Sequence, residues 1–473
     1  MKYMSEKIDL GLVKKYEYAW DKYSDSDLKD VFSFSERYKK FMSQCKTERE
    51  CVTEFISIAE EYGFKNLEDL IKNNTSLNSG DKVYYNNKEK SVVFYIVGNE
   101  PIEKGLNILG AHIDSPRIDL KQNPLYEESD LALFETHYYG GIKKYQWVAI
   151  PLAIHGTVIK KDGSKVNIVI GEDDNDPVFN ISDLLIHLSG DQMAKTASKV
   201  IDGEAMNLLV GSIPIKNKDE KNRVKINILK IIKDKYDIDE EDFVSSEIEL
   251  VPSGKARDLG LDRSMVIAYG QDDRICAYTG FEAICNINKP RKTVTLILAD
   301  KEEVGSIGNT GMHGRFFENS LCEIMNLKGE YNEIHLRRAL SNSKMLSADV
   351  TAAFDPNFPS VAEKRNSAYF GKGLVFSKYT GSRGKSGCND ANAEFMGELR
   401  NIMNNNNVSW QTSELGKVDQ GGGGTIAYIL AQYGMEVIDC GVALQNMHAP
   451  WEVSSKADIY ETYRGYEAFL REA

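Results

Sequence analysis

The feature that most constrains the fold is a short apolar run, residues 106–111, that stops abruptly at His112-Ile-Asp-Ser-Pro116. Such a run reads as a buried strand. In an open α/β sheet the site is built where buried strands end. His112 and Asp114 are two residues apart, so in an extended chain they face the same way. An imidazole and a carboxylate converging there have the chemistry of a metal ligand and its orienting partner. A strand end with a polar cap has the same local appearance, so the question passes to the rest of the chain.

The residues before this run, up to about 64, read as helical. Thr47 and Glu50 form a capping-box pattern. Cys51, Val52, Phe55, Ile56, Ala59 and Tyr62 then repeat at helical spacing as a core stripe, with Gly63 as the stop. Residues 91–97 read as a strand. Beyond residue 120 the character changes. Residues 151–159 and 166–170 are β-rich, joined by a segment whose Asp162-Gly163 has hairpin chemistry. The acidic stretch 172–176 lacks the Gly and closing Glu of a calcium loop and reads as solvated. An exposed helix carrying Val224, Ile228, Leu229, Ile231 and Ile232 follows, and then residues 246–251, which alternate like an edge strand.

After residue 255 the α/β pattern resumes. Residues 265–269 lead into Gln271-Asp-Asp-Arg274, and 293–299 is a continuous apolar run ending in Asp300-Lys-Glu-Glu-Val-Gly305. Residues 345–348 end in Asp349, and 436–444 end shortly before Met447-His448. The expected architecture is α/β. A catalytic domain with a mostly parallel central sheet flanked by helices is split into 1–120 and 256–473. Between them lies an inserted β-rich domain, 121–255.

Composition narrows the function class. The 473 residues carry a net charge of −13 with acidic groups spread along the chain, which argues against a nucleic-acid surface. No stretch reaches the ~18 apolar residues of a membrane helix. Seven scattered cysteines form no Cys-x-x-Cys pair, so neither a disulfide framework nor a thiolate zinc site is expected. The expected compartment is the cytoplasm.

Five candidate metal ligands emerge in order: His112, Asp272, Glu303, Asp349 and His448. Two histidines and three carboxylates suit a pair of divalent ions such as zinc, cobalt or manganese. Two such ions ~3.5–4 Å apart require a bridging carboxylate, for which Asp272 is the choice. In Glu302-Glu303 neighbouring side chains cannot present equally to one ion. One can ligate while the other faces the metal-bound water, taking its proton and later delivering it to a leaving amine. That is the logic of metal-assisted amide hydrolysis.

As a set, His112-Ile-Asp-Ser-Pro116, Asp258-Leu-Gly-Leu-Asp262, Asp272-Asp-Arg274, Asp300-Lys-Glu-Glu-Val-Gly305, Ser347-Ala-Asp349 and Met447-His448 resemble the successive signatures of the aspartyl aminopeptidase family of dinuclear zinc exopeptidases. The similarity runs from about residue 30 to the end. It implies removal of single N-terminal residues from peptides, with Glu302 as general base and Asp114 orienting His112. It implies a homo-oligomer, a tetrahedral dodecamer whose dimer contacts come from the inserted domain. It also implies a histidine sent into the neighbouring subunit's active site, for which His187 is the candidate. Arg274 departs from the family pattern, which has Asn and an apolar residue after the first Asp. Members differ in preferring acidic or neutral N-terminal residues. An acidic preference needs a cation in the pocket, and Arg383 and Lys385 lie in the right stretch. A related metallohydrolase (carboxypeptidase or N-deacylase) and a non-catalytic assembly protein of the same fold stand as alternatives.

Overall fold

The computed structural model describes residues 17–473, apart from the side chains of Ser382 and Arg383. The part of the expected helical region before residue 17 lies outside the described residues. Helices Asp25–Gln44 and Glu48–Glu61 form the remainder. The second opens with the reciprocal Thr47/Glu50 capping box. Its Cys51, Val52, Phe55 and Ala59 are buried, whereas Tyr62 is 48% exposed.

A nine-stranded sheet organises the rest. Its centre is four parallel strands in the spatial order Val294–Ala299, Asn107–His112, Lys344–Ser347, Glu436–Gly441. Antiparallel pairings flank them, with Ser91–Ile96 on one side and Leu374–Ser377 on the other. The sheet is therefore parallel where the strands end in candidate ligands and mixed toward its edges. Alternate residues serve opposite faces. Leu109, Ala111 and Leu296 pack with Phe55, Phe281 and Phe469 in one core. Ile108, Ile297 and Met345 pack with Phe317, Leu321 and Ile429 in the other. Burial on both faces is why these strands read as unbroken apolar runs.

A separate seven-stranded antiparallel sheet takes its strands from Arg117–Glu128 through Ser246–Pro252. Pro116 immediately precedes the first strand of this second sheet. The Ser246–Pro252 strand is not an edge strand. It pairs with both Leu152–Ile159 and Arg117–Glu128. Of its alternating carboxylates, Glu247 is exposed and pairs with Arg49, whereas Glu249 is buried against Arg117, so only Glu247 behaves as an edge residue would. A third, five-stranded sheet includes Ala443–Gln445 and Glu452–Ser455. No helix among the described residues is long and apolar enough to cross a membrane.

The second sheet meets the N-terminal helices at a buried polar junction. His155 contacts Glu50 Oε1 at 2.6 Å and Glu172 Oε1 at 3.1 Å. Lys46 Nζ donates to Glu172 Oε1 and to the carbonyls of Pro252 and Gly254. Residues 173–175 of the acidic stretch face solvent, but Glu172 turns inward. Burial lowers the His155 pKa, yet Glu172 and Glu50 outweigh it and hold the value above 6.5. A raised folded-state pKa means that the stabilisation is complete below 6.5 and is lost as pH rises through the folded value. Denaturant midpoints are therefore expected to fall from pH 6 upward in the native protein and to fall less in His155→Gln. Equal pH slopes in the two proteins would contradict this.

Candidate metal centre

The centre assembles at the carboxyl ends of the parallel strands. His112 is the last residue of its strand, level in register with Ala299. Beyond Ala299 the chain passes Asp300 and makes the turn Glu302–Val304. Asp349 follows Lys344–Ser347 by two residues. Asp272 and Asp273 open the helix Gln271–Cys285 in non-helical conformation, joined by a cis peptide bond. His448 lies in the loop before Glu452–Ser455.

Asp272 lies between the two histidines. Its Oδ1 is 3.2 Å from His112 Nε2 and its Oδ2 is 3.3 Å from His448 Nε2. His112 Nε2 is also 4.0 Å from Asp349 Oδ1 and 4.0 Å from Glu302 Oε2. His448 Nε2 is 3.6 Å from Glu303 Oε2. The opposite ring nitrogens are engaged elsewhere. His112 Nδ1 faces the Asp114 carbonyl at 3.0 Å and Asp114 Oδ1 at 3.3 Å. His448 Nδ1 faces the Gly141 carbonyl at 2.9 Å. These partners accept from Nδ1 of both rings, so each Nε2 is the nitrogen aimed into the centre. Potential ligand atoms of Asp272, Glu303 and His448 lie within 4.8 Å of one another, as do those of His112, Asp273 and Asp349, and those of His112, Glu302 and Glu303.

Behind these groups stand residues that the sequence did not single out. Glu452 accepts the backbone N–H of Asp272 at 3.1 Å and that of His448 at 2.7 Å. Its only signal was an acidic residue in an otherwise strand-like segment. Asp273 Oδ2 accepts the His112 N–H at 3.4 Å. Asp114 does more than face His112. Its two oxygens accept the backbone N–H groups of Glu302 and Glu303 at 3.1 and 3.2 Å.

The electrostatics follow from crowding carboxylates out of water. Burial pushes Glu302 up to about 7, with Asp114 and Asp272 adding to the effect and the histidines opposing it. Burial likewise raises Glu303, Asp349 and Asp273 well above the carboxylate range, and Glu452 to about 8. Asp272 is the exception: the two imidazoles outweigh burial and hold it well below its ordinary value. Burial lowers His448, but Asp272 and Glu303 bring it up to about 10. Asp272 Oδ1, Asp273 Oδ1 and Glu303 Oε1 are buried without a hydrogen bond. Buried carboxylate oxygens left unpaired are costly. A divalent cation with imidazole and carboxylate ligands offsets that cost, and this donor set suits zinc.

The centre forms the floor of a cleft of about 500 Å³, walled by Val350, Thr380, Leu415, Gly422–Gly424, Tyr428 and Met447. Not every expected residue reaches it. Lys385 is exposed, pairs with Asp390 at 2.8 Å and sits over the Tyr379 ring, so it supplies no cation to the cleft. The Arg383 side chain lies outside the described residues. His187 sits in an exposed turn of the second sheet's unit, away from this cleft. Arg274 is fully buried and donates to the carbonyls of Gly270, Tyr269 and Cys45, so the departure at this position is structural.

The chain is similar to known proteins over nearly its whole length. A family model described as aminopeptidase I zinc metalloprotease (M18) matches residues 41–470. A probable M18 family aminopeptidase 1 of Clostridium acetobutylicum is 66% identical over 97% of this chain and 99% of that relative. The crystal structure of aminopeptidase I from that organism superposes with a TM-score of 0.91 at 65% identity, covering 97% of this chain and 100% of the other. An M18 family aminopeptidase structure from Thermotoga maritima gives 0.93 at 45% identity, covering 98% and 100%. The chain belongs to the aminopeptidase I (M18) family of zinc metalloproteases.

Proposed function

We propose that the chain is a dinuclear metallo-aminopeptidase that releases single N-terminal residues from peptides. The observation that carries this reading is the Asp272 carboxylate, with one oxygen toward each histidine. His112 and Asp349 would hold one ion, His448 and Glu303 the other, and Asp272 both; zinc fits, and cobalt or manganese suits the same donors. When bound, such a pair polarises the amide carbonyl and makes water acidic near neutral pH. Glu302 takes a proton from the attacking water and returns it to the leaving amine. Asp114 aligns His112 and, through two backbone N–H groups, the turn carrying Glu302 and Glu303. The cleft walls bind the peptide.

Residues 121–255 form the inserted oligomerisation domain of this reading, between catalytic segments 1–120 and 256–473. An apolar run supports it. Leu184, Leu185, Ile186, Leu188 and Met193 are 54–74% exposed, more than an isolated surface turn needs. Paired with another copy, this run would present His187 to the neighbouring active site in a tetrahedral dodecamer.

Removing divalent ions with a chelator is expected to abolish release of N-terminal residues, and zinc to restore it. Peptides with a free amino group should be cleaved and their N-acetylated forms should not. Equal cleavage of both, or release from the carboxyl end, would overturn the aminopeptidase reading in favour of a deacylase or carboxypeptidase.

A further inference from the structure

The second sheet is connected to the centre at one short segment. Strand Leu131–Tyr139 ends beside the cleft, and the three residues Tyr139-Gly140-Gly141 touch both halves of the site. Tyr139 donates its hydroxyl to Asp114 Oδ2 at 2.8 Å. That carboxylate stands behind His112 and holds the Glu302-Glu303 turn. Two residues on, the Gly141 carbonyl accepts from His448 Nδ1. Between them Gly140 adopts φ +74°, and a Cβ built there would meet Glu303 Cβ at 3.3 Å. A Cβ on Gly141 would meet His448 Nδ1 at 3.4 Å. The glycines thus let the backbone run close beside two ligands. Arg117, buried on the neighbouring strand, lies 4.1 Å from the Tyr139 ring centroid and pins it.

We propose that Tyr139–Gly141 is a positioning strap: the inserted sheet sets the orientation of His112 and His448 together, with the Tyr139 hydroxyl as its principal polar contact to the His112 half. Tyr139 acts through Asp114 and is not itself a catalytic residue. The inference rests on the metal-centre reading above. It makes the inserted unit a determinant of metal affinity within its own subunit, apart from any role in assembly.

The test is Tyr139→Phe, which keeps the ring against Arg117 and removes only the hydroxyl. Zinc affinity is measured by competition with a chromophoric chelator, alongside kcat, KM and the native mass. Removing a group that orients a ligand directly weakens metal binding by about 10–100-fold; Tyr139 stands one contact behind that group, so a loss at the lower end, about 10-fold, is expected. The expected result is zinc affinity weaker by that factor and a lower kcat, with KM and native mass unchanged. Tyr138→Phe, whose ring is 44% exposed, is the control and should match the native protein. Zinc affinity and kcat in Tyr139→Phe within twofold of native would overturn the strap. Failure of the native protein to bind zinc would instead overturn the metal-centre reading.

Discussion

Glu302→Gln is expected to lower kcat by about 10²–10⁴-fold, the usual contribution of a positioned general base, while zinc content, native mass and KM stay close to native. The separation follows from what each atom of Glu302 does. Its backbone N–H donates to Asp114 Oδ1, and glutamine keeps that bond. Its side chain is half-buried at the cleft wall, and the amide has nearly the same shape. What glutamine cannot do is accept a proton. In the metal-free centre burial holds the Glu302 carboxyl up near 7. Divalent cations beside it favour the ionised form, so the carboxylate is available as a base at neutral pH. His112→Ala should behave differently, losing bound metal together with activity. Retained turnover in Glu302→Gln would refute the base assignment; loss of zinc in the same variant would make Glu302 a ligand.

The elements that carry this centre were legible because chemistry and pattern coincide at strand ends. The parallel strands are buried on both faces and mostly apolar, and at three of them a site residue stands at the strand's end or within four residues of it. His112 and Asp349 stand out for that reason, and Glu302-Glu303 follows the same rule after residue 299. Groups that act from across a sheet leave no such mark. Glu452 reaches Asp272 and His448 from a strand 180 residues beyond Asp272, and Tyr139 reaches Asp114 from a different sheet. Neither has a spacing that announces its partner. Charge misleads in the same way. Glu249 alternates with Glu247 as if both faced solvent, but Glu249 is buried against Arg117 from another strand. Lys385 has the right charge in a familial stretch and spends it on Asp390 five residues away.

Arg117→Met is expected to reduce stability at neutral pH by about 3–5 kcal/mol, the range for removing one member of a buried ion pair. Arg117 is buried where the second sheet packs against the helix Glu48–Glu61. Its Nη1 is 3.2 Å from Glu48 Oε2, its Nη2 is 3.2 Å from Glu249 Oε1, and its Nε is 2.8 Å from Asp119 Oδ1. Burial opposes ionisation of Glu48, yet Arg117 and Lys90 overcome it and bring the carboxyl down to about 2. Glu249 goes the other way: burial, with Glu48 and Asp119 near, raises it well above the carboxylate range despite Arg117. The sign for Glu48 is set by its depressed folded value. The stability it contributes is present above its ordinary 4.5 and is lost as pH falls from there toward 2. Removing Arg117 takes away most of what held that value down, so the deficit of the variant should be largest near pH 7 and shrink below pH 4.5. Denaturant midpoints at both pH values measure it. Methionine fills much of the volume, so a lost-packing effect would persist at low pH, whereas a lost-charge effect would not. Replacing Glu48 and Glu249 by apolar residues in the Arg117→Met background should recover stability, because an apolar cluster does not carry the desolvation cost of the charges. If the single variant is as stable as native at pH 7, the junction is held by its apolar contacts and the charges there are incidental.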